Sequence, residues 1–123
     1  MLICSMSNAQ DKKRDNRKYE RLESQKIAFI TSKLDLSVEE AEKFWPIYNK
    51  YEDMERELKA ESRAMIDEFR KSDQAITEDE AKMIVMKWLE MEEKELELKK
   101  AFVEEVSTAI SMKKIAKLKM IER

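Results

Sequence analysis

The sequence contains no histidine and no glycine, a single proline and a single cysteine. Each shortage excludes something. Without histidine, the commonest general acid or base is missing. Ser/His/Asp and Cys/His nucleophile arrangements cannot be assembled. Without glycine there is no Gly-rich loop to cradle a phosphate. The tight turns of a β-rich fold also lose their usual residues. One cysteine, Cys4, cannot form an internal disulfide. No run approaches the ~20 apolar residues of a membrane span. The expectation is a protein that is not an enzyme, holds no cofactor and does not cross a membrane.

The 123 residues are enough for one domain and too few for two good cores. Charged residues make up 42% and hydrophobic residues 42%, the split that long amphipathic helices need. A net charge of −2 does not point to nucleic acid. The charge is unevenly spread. Asp11 to Arg21 carries six basic and three acidic residues, and Ser111 to Arg123 carries five basic and one acidic. Glu90 to Glu105 is acidic. These are either solvated helix faces with i,i+4 pairing or a basic rim that attracts anionic partners.

Met1 to Gln10 is apolar, then small and polar, with charge beginning abruptly at Asp11. This resembles either the end of a secretory signal whose basic start and longer apolar stretch are missing, or an ordinary frayed terminus. In the first reading Cys4 is removed or disordered, and residues 11–123 form a single helical domain.

Four helical segments are expected. The first runs from about Asp11 to Leu34, with Leu22, Ile27, Ile30 and Leu34 as its apolar stripe and Phe29 beside it. The second opens at a capping box, Ser37-Val38-Glu39-Glu40. Phe44, Tyr51, Leu58 and Met65 then recur every seven residues, with Ile47, Met54 and Phe69 alongside. Pro46 removes one helical N–H, which predicts a kink or break at Phe44–Pro46. The third opens at Thr77-Glu78-Asp79-Glu80 and extends to about Ile110. Ala81, Trp88, Phe102 and Ala109 form its stripe, and Ile84, Met91 and Leu98 fill the alternate positions. Lys71 to Ile76 is short enough to force the second and third helices antiparallel. The fourth starts near Ser111, with Ile115, Leu118 and Ile121 apolar. The fold class is therefore all-α: a bent four-helix arrangement built on one long antiparallel helical hairpin.

The chemistry-bearing clusters are few. Glu92, Glu93, Glu95 and Glu97 could form a weak hard-cation site, though a solvated acidic face explains them as well. No metal ligand set is assigned. Nine methionines are many for this length. They serve as flexible core filler or as an adaptable apolar surface for varied partners. Trp45, Tyr48 and Tyr51 surround Pro46, and either pack against neighbouring helices or form an aromatic contact patch.

The segment from Lys26 to Tyr51, KIAFITSKLDLSVEEAEKFWPIYNKY, resembles the opening of Spy/CpxP-like, LTxxQ-type periplasmic proteins. It is closest in pattern to the subgroup labelled sensor of ECF-type sigma factor or periplasmic heavy-metal sensor. Ile110 to Leu118, ISMKKIAKL, is similar to the family's second signature. The resemblance covers roughly Tyr19 to Arg123. It departs from the family at Leu36-Ser37-Val38-Glu39-Glu40, which has Ser for Thr and Glu for Gln. The His ligands of the metal-sensing members are also absent.

The resemblance implies a periplasmic stress-response protein, dimerised into a shallow cradle that binds unfolded or envelope proteins. It would act as an ATP-independent chaperone or as an accessory to a stress sensor. The expected partner-binding residues are Phe44, Trp45 and Tyr48 at the proline, and Lys113, Lys114, Lys117 and Lys119 at the basic end. A structural or dimerising helical module without clients is the alternative. A metal-binding sensor using carboxylates and methionines is a second.

Overall fold

The computed structural model describes residues 4–72 and 75–123, with side chains from residue 9 onward. Those residues form four α-helices and no strand: α1 (Cys4–Lys33), α2 (Val38–Ser72), α3 (Glu78–Val106) and α4 (Met112–Ile121). The all-α hairpin expected from the sequence is present. The signal-like segment Met1 to Gln10 lies largely outside the described side chains, Cys4 among them. The helical backbone of α1 nevertheless starts at Cys4, earlier than the Asp11 expected.

The chain turns corners without glycine by using hydroxyls, carboxylates and one strained residue. After α1, Asp35 takes the left-handed conformation at φ 49°, a position that glycine usually fills. The Leu36 N–H donates to the Thr31 carbonyl at 3.0 Å and the Asp35 N–H to the Ser32 carbonyl at 3.1 Å. This pair of bonds satisfies the last carbonyls of α1 and reverses the chain. At Ser37 the capping box is complete. The Glu40 N–H donates to Ser37 Oγ, and the Ser37 N–H donates to Glu40 Oε1, both at 3.1 Å. Thr77 and Ser111 cap α3 and α4 by accepting from the Glu80 and Lys114 N–H groups at 3.2 and 3.3 Å. Where α3 ends, the Ser107 and Thr108 hydroxyls each donate at 2.7 Å to the carbonyls of Glu104 and Glu105. Helix α3 thus stops short of the Ile110 expected.

Of the kink or break expected at Pro46, a break does not occur: α2 is one helix of 35 residues, about 52 Å long at ~1.5 Å per residue. Pro46 lies on the exposed side of α2. Glu42, whose carbonyl loses its helical donor, is likewise an exposed residue, and a carbonyl open to water keeps the cost of a proline low.

Helices α2 and α3 pack along each other, the early part of α2 against the late part of α3. Lys50 Nζ and Tyr51 OH both donate to the Glu105 carboxylate at 2.7 Å. The core, however, is gathered at one end. Ile30 of α1 and Leu34 just after it, Phe44 and Tyr48 of α2, Val106 at the end of α3 and Ile110 after it, and Ile115 and Leu118 of α4 form one buried cluster. Farther along the hairpin, among the described residues, only Met91 is buried. The heptad positions Leu58, Met65 and Ile84 are half-buried, whereas Met54 and Phe69 are exposed. Of the α1 stripe, Leu22 and Ile27 remain exposed.

Candidate functional site: a charged apolar groove

An open groove of about 850 Å³ lies between α1, the middle of the hairpin and the end of α4. Phe29, Ile30, Tyr48, Tyr51, Leu98, Phe102 and Ile121 supply its apolar surface. Lys26, Lys59, Lys99, Lys119 and Arg123 face Glu52, Glu55, Glu95 and Glu122 around it. Lys26 forms an ion pair with Glu52 that ties α1 to α2 across the groove. The Lys26 ammonium also lies 5.1 Å from the centre of the Tyr48 ring, a favourable cation–π distance.

The aromatic side chains expected at a contact patch instead hold the end of the groove together. Phe44 is 0% exposed. Its ring stacks on Tyr48 at 5.4 Å and packs T-shaped against Trp45 at 4.9 Å. Phe102 of α3 packs edge-on against Tyr48 at 6.2 Å and Tyr51 at 5.6 Å. Phe44 is therefore a core residue and cannot touch a partner. Tyr48 is also buried, and its hydroxyl donates to Glu122 at 2.8 Å. Burial, then that carboxylate, pushes the Tyr48 phenol far above its ordinary pKa, so it stays protonated and remains a donor. Trp45 is half-buried against the same cluster.

The four lysines of α4 separate into different roles. Lys114 is taken up internally. Its ammonium donates to the Asp35 carbonyl and to Glu40 Oε1, both at 2.8 Å, and so clamps α4 to the α1–α2 turn. This hydrogen bond, with that from the Ser37 N–H, holds the Glu40 carboxyl below its ordinary pKa. Lys113, Lys117 and Lys119 are exposed, and only Lys119 lines the groove. The structure thus brings Tyr48 and Lys119 to the same groove and leaves Lys113 and Lys117 outside it.

Sequence reasoning missed the acidic half of the groove and the Glu105 junction. Hydrogen bonds from Lys50 and then Tyr51 hold the Glu105 carboxyl below its ordinary pKa. These partners are far apart in the chain, and no local spacing announces them. Among the described residues, no group of three or more Asp, Glu or Cys side chains could hold a metal ion. Glu92, Glu93, Glu95 and Glu97 spread around α3 at 100° per residue, and Glu95 turns inward to Lys99. Among the described residues no helix is long and apolar enough to cross a membrane.

Comparison of the chain with protein-family models, with curated proteins and with solved structures finds no match.

Proposed function

We propose that the chain is a periplasmic envelope stress-response protein that binds other proteins through a helical cradle. It acts as an ATP-independent chaperone or as an accessory to a stress sensor. One observation carries the binding part of this reading. Among the described residues, nine hydrophobic side chains are buried, while fifteen large ones are exposed. Exposed apolar residues are ordinary when scattered singly, but here they follow the helices. Tyr19, Leu22 and Phe29 lie along α1; Val85, Met86, Leu89 and Leu96 lie along α3.

The groove places apolar walls beside charges of both signs. Charge draws in a partner segment at a distance, and apolar walls hold it at contact. Met83, at 72% exposed, and Met86, at 58%, add flexible thioethers that adapt to varied surfaces. The resemblance of Lys26 to Tyr51 to the Spy/CpxP-like pattern supports the periplasmic location.

The test is a refolding assay. A chemically denatured client is diluted into buffer with increasing amounts of the purified protein, and light scattering is followed at low and high salt. Suppression at low molar excess, weakened by salt, is the expected result. Scattering unchanged at several-fold excess refutes the chaperone reading and leaves a structural or dimerising module.

A further inference from the structure

Helix α4 has apolar residues on two faces, and the fold uses only one. Ile115 and Leu118 are packed into the core, 4% and 0% exposed. On the other side Met112 is 61% and Met120 71% exposed, with the exposed Ala116 between them. Their i, i+4, i+8 spacing makes one strip, about 12 Å long at ~1.5 Å per residue.

Lysines border the strip on both sides. The helical period sets Lys113 and Lys117 along one edge and Lys119 along the other. All three are exposed, and none takes part in an ion pair among the described residues. Lysines elsewhere are neutralised locally: Lys43, Lys59, Lys94 and Lys99 each pair with a glutamate four residues earlier. No carboxylate belongs to the outer face of α4. Glu122, just past the helix, lies on the inward side and accepts from the buried Tyr48 at 2.8 Å. In a chain of net charge −2, this face is a local concentration of unneutralised positive charge around a thioether strip.

A convex apolar strip with cations on both flanks suits a flat partner that is anionic at its surface and apolar beneath. The ammonium groups reach sideways to the anionic headgroups while the lysine stems and thioethers sink between them. Nucleic acid offers phosphates but leaves the methionines wet, and the strip carries no aromatic or arginine side chain on which a base could stack. An acidic protein would need a trough cut to this ridge. We propose that the outer face of α4 docks on an anionic lipid surface, with the helix lying in the headgroup plane. Met112, Lys113, Lys117 and Met120 do not line the groove, so the proposal does not rest on the client-binding reading.

The experiment is co-sedimentation of the full chain with phosphatidylglycerol or phosphatidylcholine vesicles at low and high salt, with helicity checked by circular dichroism. Wild type is expected to bind phosphatidylglycerol, to ignore phosphatidylcholine and to be released as salt rises. K113Q/K117Q is expected to bind roughly 25-fold more weakly, at about fivefold per cation. M112Q/M120Q keeps every charge and is expected to bind roughly tenfold more weakly, whereas M112L/M120L binds like wild type. R14Q/R17Q/R21Q, which removes cations of α1, is expected to stay within about threefold of wild type. Absence of binding to phosphatidylglycerol, equal binding to phosphatidylcholine, or M112Q/M120Q indistinguishable from wild type overturns the proposal. A loss that follows the α1 arginines and spares K113Q/K117Q also overturns it. Binding to soluble polyglutamate but not to the vesicles overturns it too, and assigns the face to an acidic protein.

Discussion

Replacing Phe44 by alanine should do more damage than any other single truncation in the hairpin. The ring is 0% exposed and touches Trp45 and Tyr48 with centroids 4.9 and 5.4 Å away. Truncating such a phenylalanine costs about 3–5 kcal/mol, from lost transfer energy plus the cavity left behind. A domain of this size has about 5–15 kcal/mol in total. Here almost all the buried apolar surface lies in one cluster that contains Phe44, so most of the stability is at stake. At about 3–6 °C per kcal/mol for a domain of this length, the midpoint of thermal unfolding should fall by about 10–30 °C. Circular dichroism at 222 nm follows the helices. Tryptophan fluorescence, read with the exposed Trp88 replaced by phenylalanine, follows the cluster, since the Trp45 indole packs T-shaped against Phe44. Leu96→Ala, on the exposed face of α3, is the control and should shift the midpoint by about 2 °C or less. A Phe44→Ala midpoint within about 3 °C of wild type would refute the single-cluster account of stability.

Three further outcomes follow from the turns and ion pairs. Asp35 sits at φ 49° without being glycine. Asp35→Gly should therefore raise stability by about 0.5–1 kcal/mol in urea titrations, the left-handed penalty outweighing the added chain entropy; a loss of stability would show that the Asp35 side chain contributes something beyond the turn. Glu40 and Glu105 are held below their ordinary pKa of 4.5, chiefly by hydrogen bonds from Lys114 and Lys50. Such depressed acids add stability that is complete above 4.5 and disappears as pH falls through the lowered values. The urea midpoint should decline below pH 4.5, and Glu105→Gln should flatten that decline; a curve parallel to wild type would contradict it. The Lys50 ammonium is raised above its ordinary 10.5 by the same Glu105 bond, so its contribution should persist at neutral pH and vanish only as pH climbs past that value.

What was legible in the sequence is what is encoded over three or four residues. Ser37 and Glu40, Thr77 and Glu80, and Ser111 with Ile115 and Leu118 announced the helix starts and the inward face of α4. The antiparallel pairing followed from one short connection. The aromatic residues around Pro46 were read as either packing or contact, and tertiary burial decided for packing at Phe44 and Tyr48. The proline leaves α2 unbroken; which side of the helix it faces decides how much it costs, and exposure is not written in the local sequence. The Lys114 clamp was missed for a different reason. It joins residues 74 positions apart to Glu40 and 79 apart to Asp35, and only the closed fold brings them together. Lys114 looked like one of four equivalent surface cations, and its neighbours in sequence gave no sign otherwise. Asp35 was also hidden, because a chain without glycine offers no marker for a left-handed turn.

The gathering of the core at one end divides the chain between two kinds of selection. Substitutions among Ile30, Phe44, Val106 and Leu118 are paid in folding and have little room to vary. Substitutions along the exposed outer faces of α1 and α3, away from that cluster, leave folding almost untouched. Those positions can change charge, length or thioether content one at a time while the base holds its shape. A protein organised in this way can acquire or lose partners by drift at its free surfaces without first passing through an unstable intermediate.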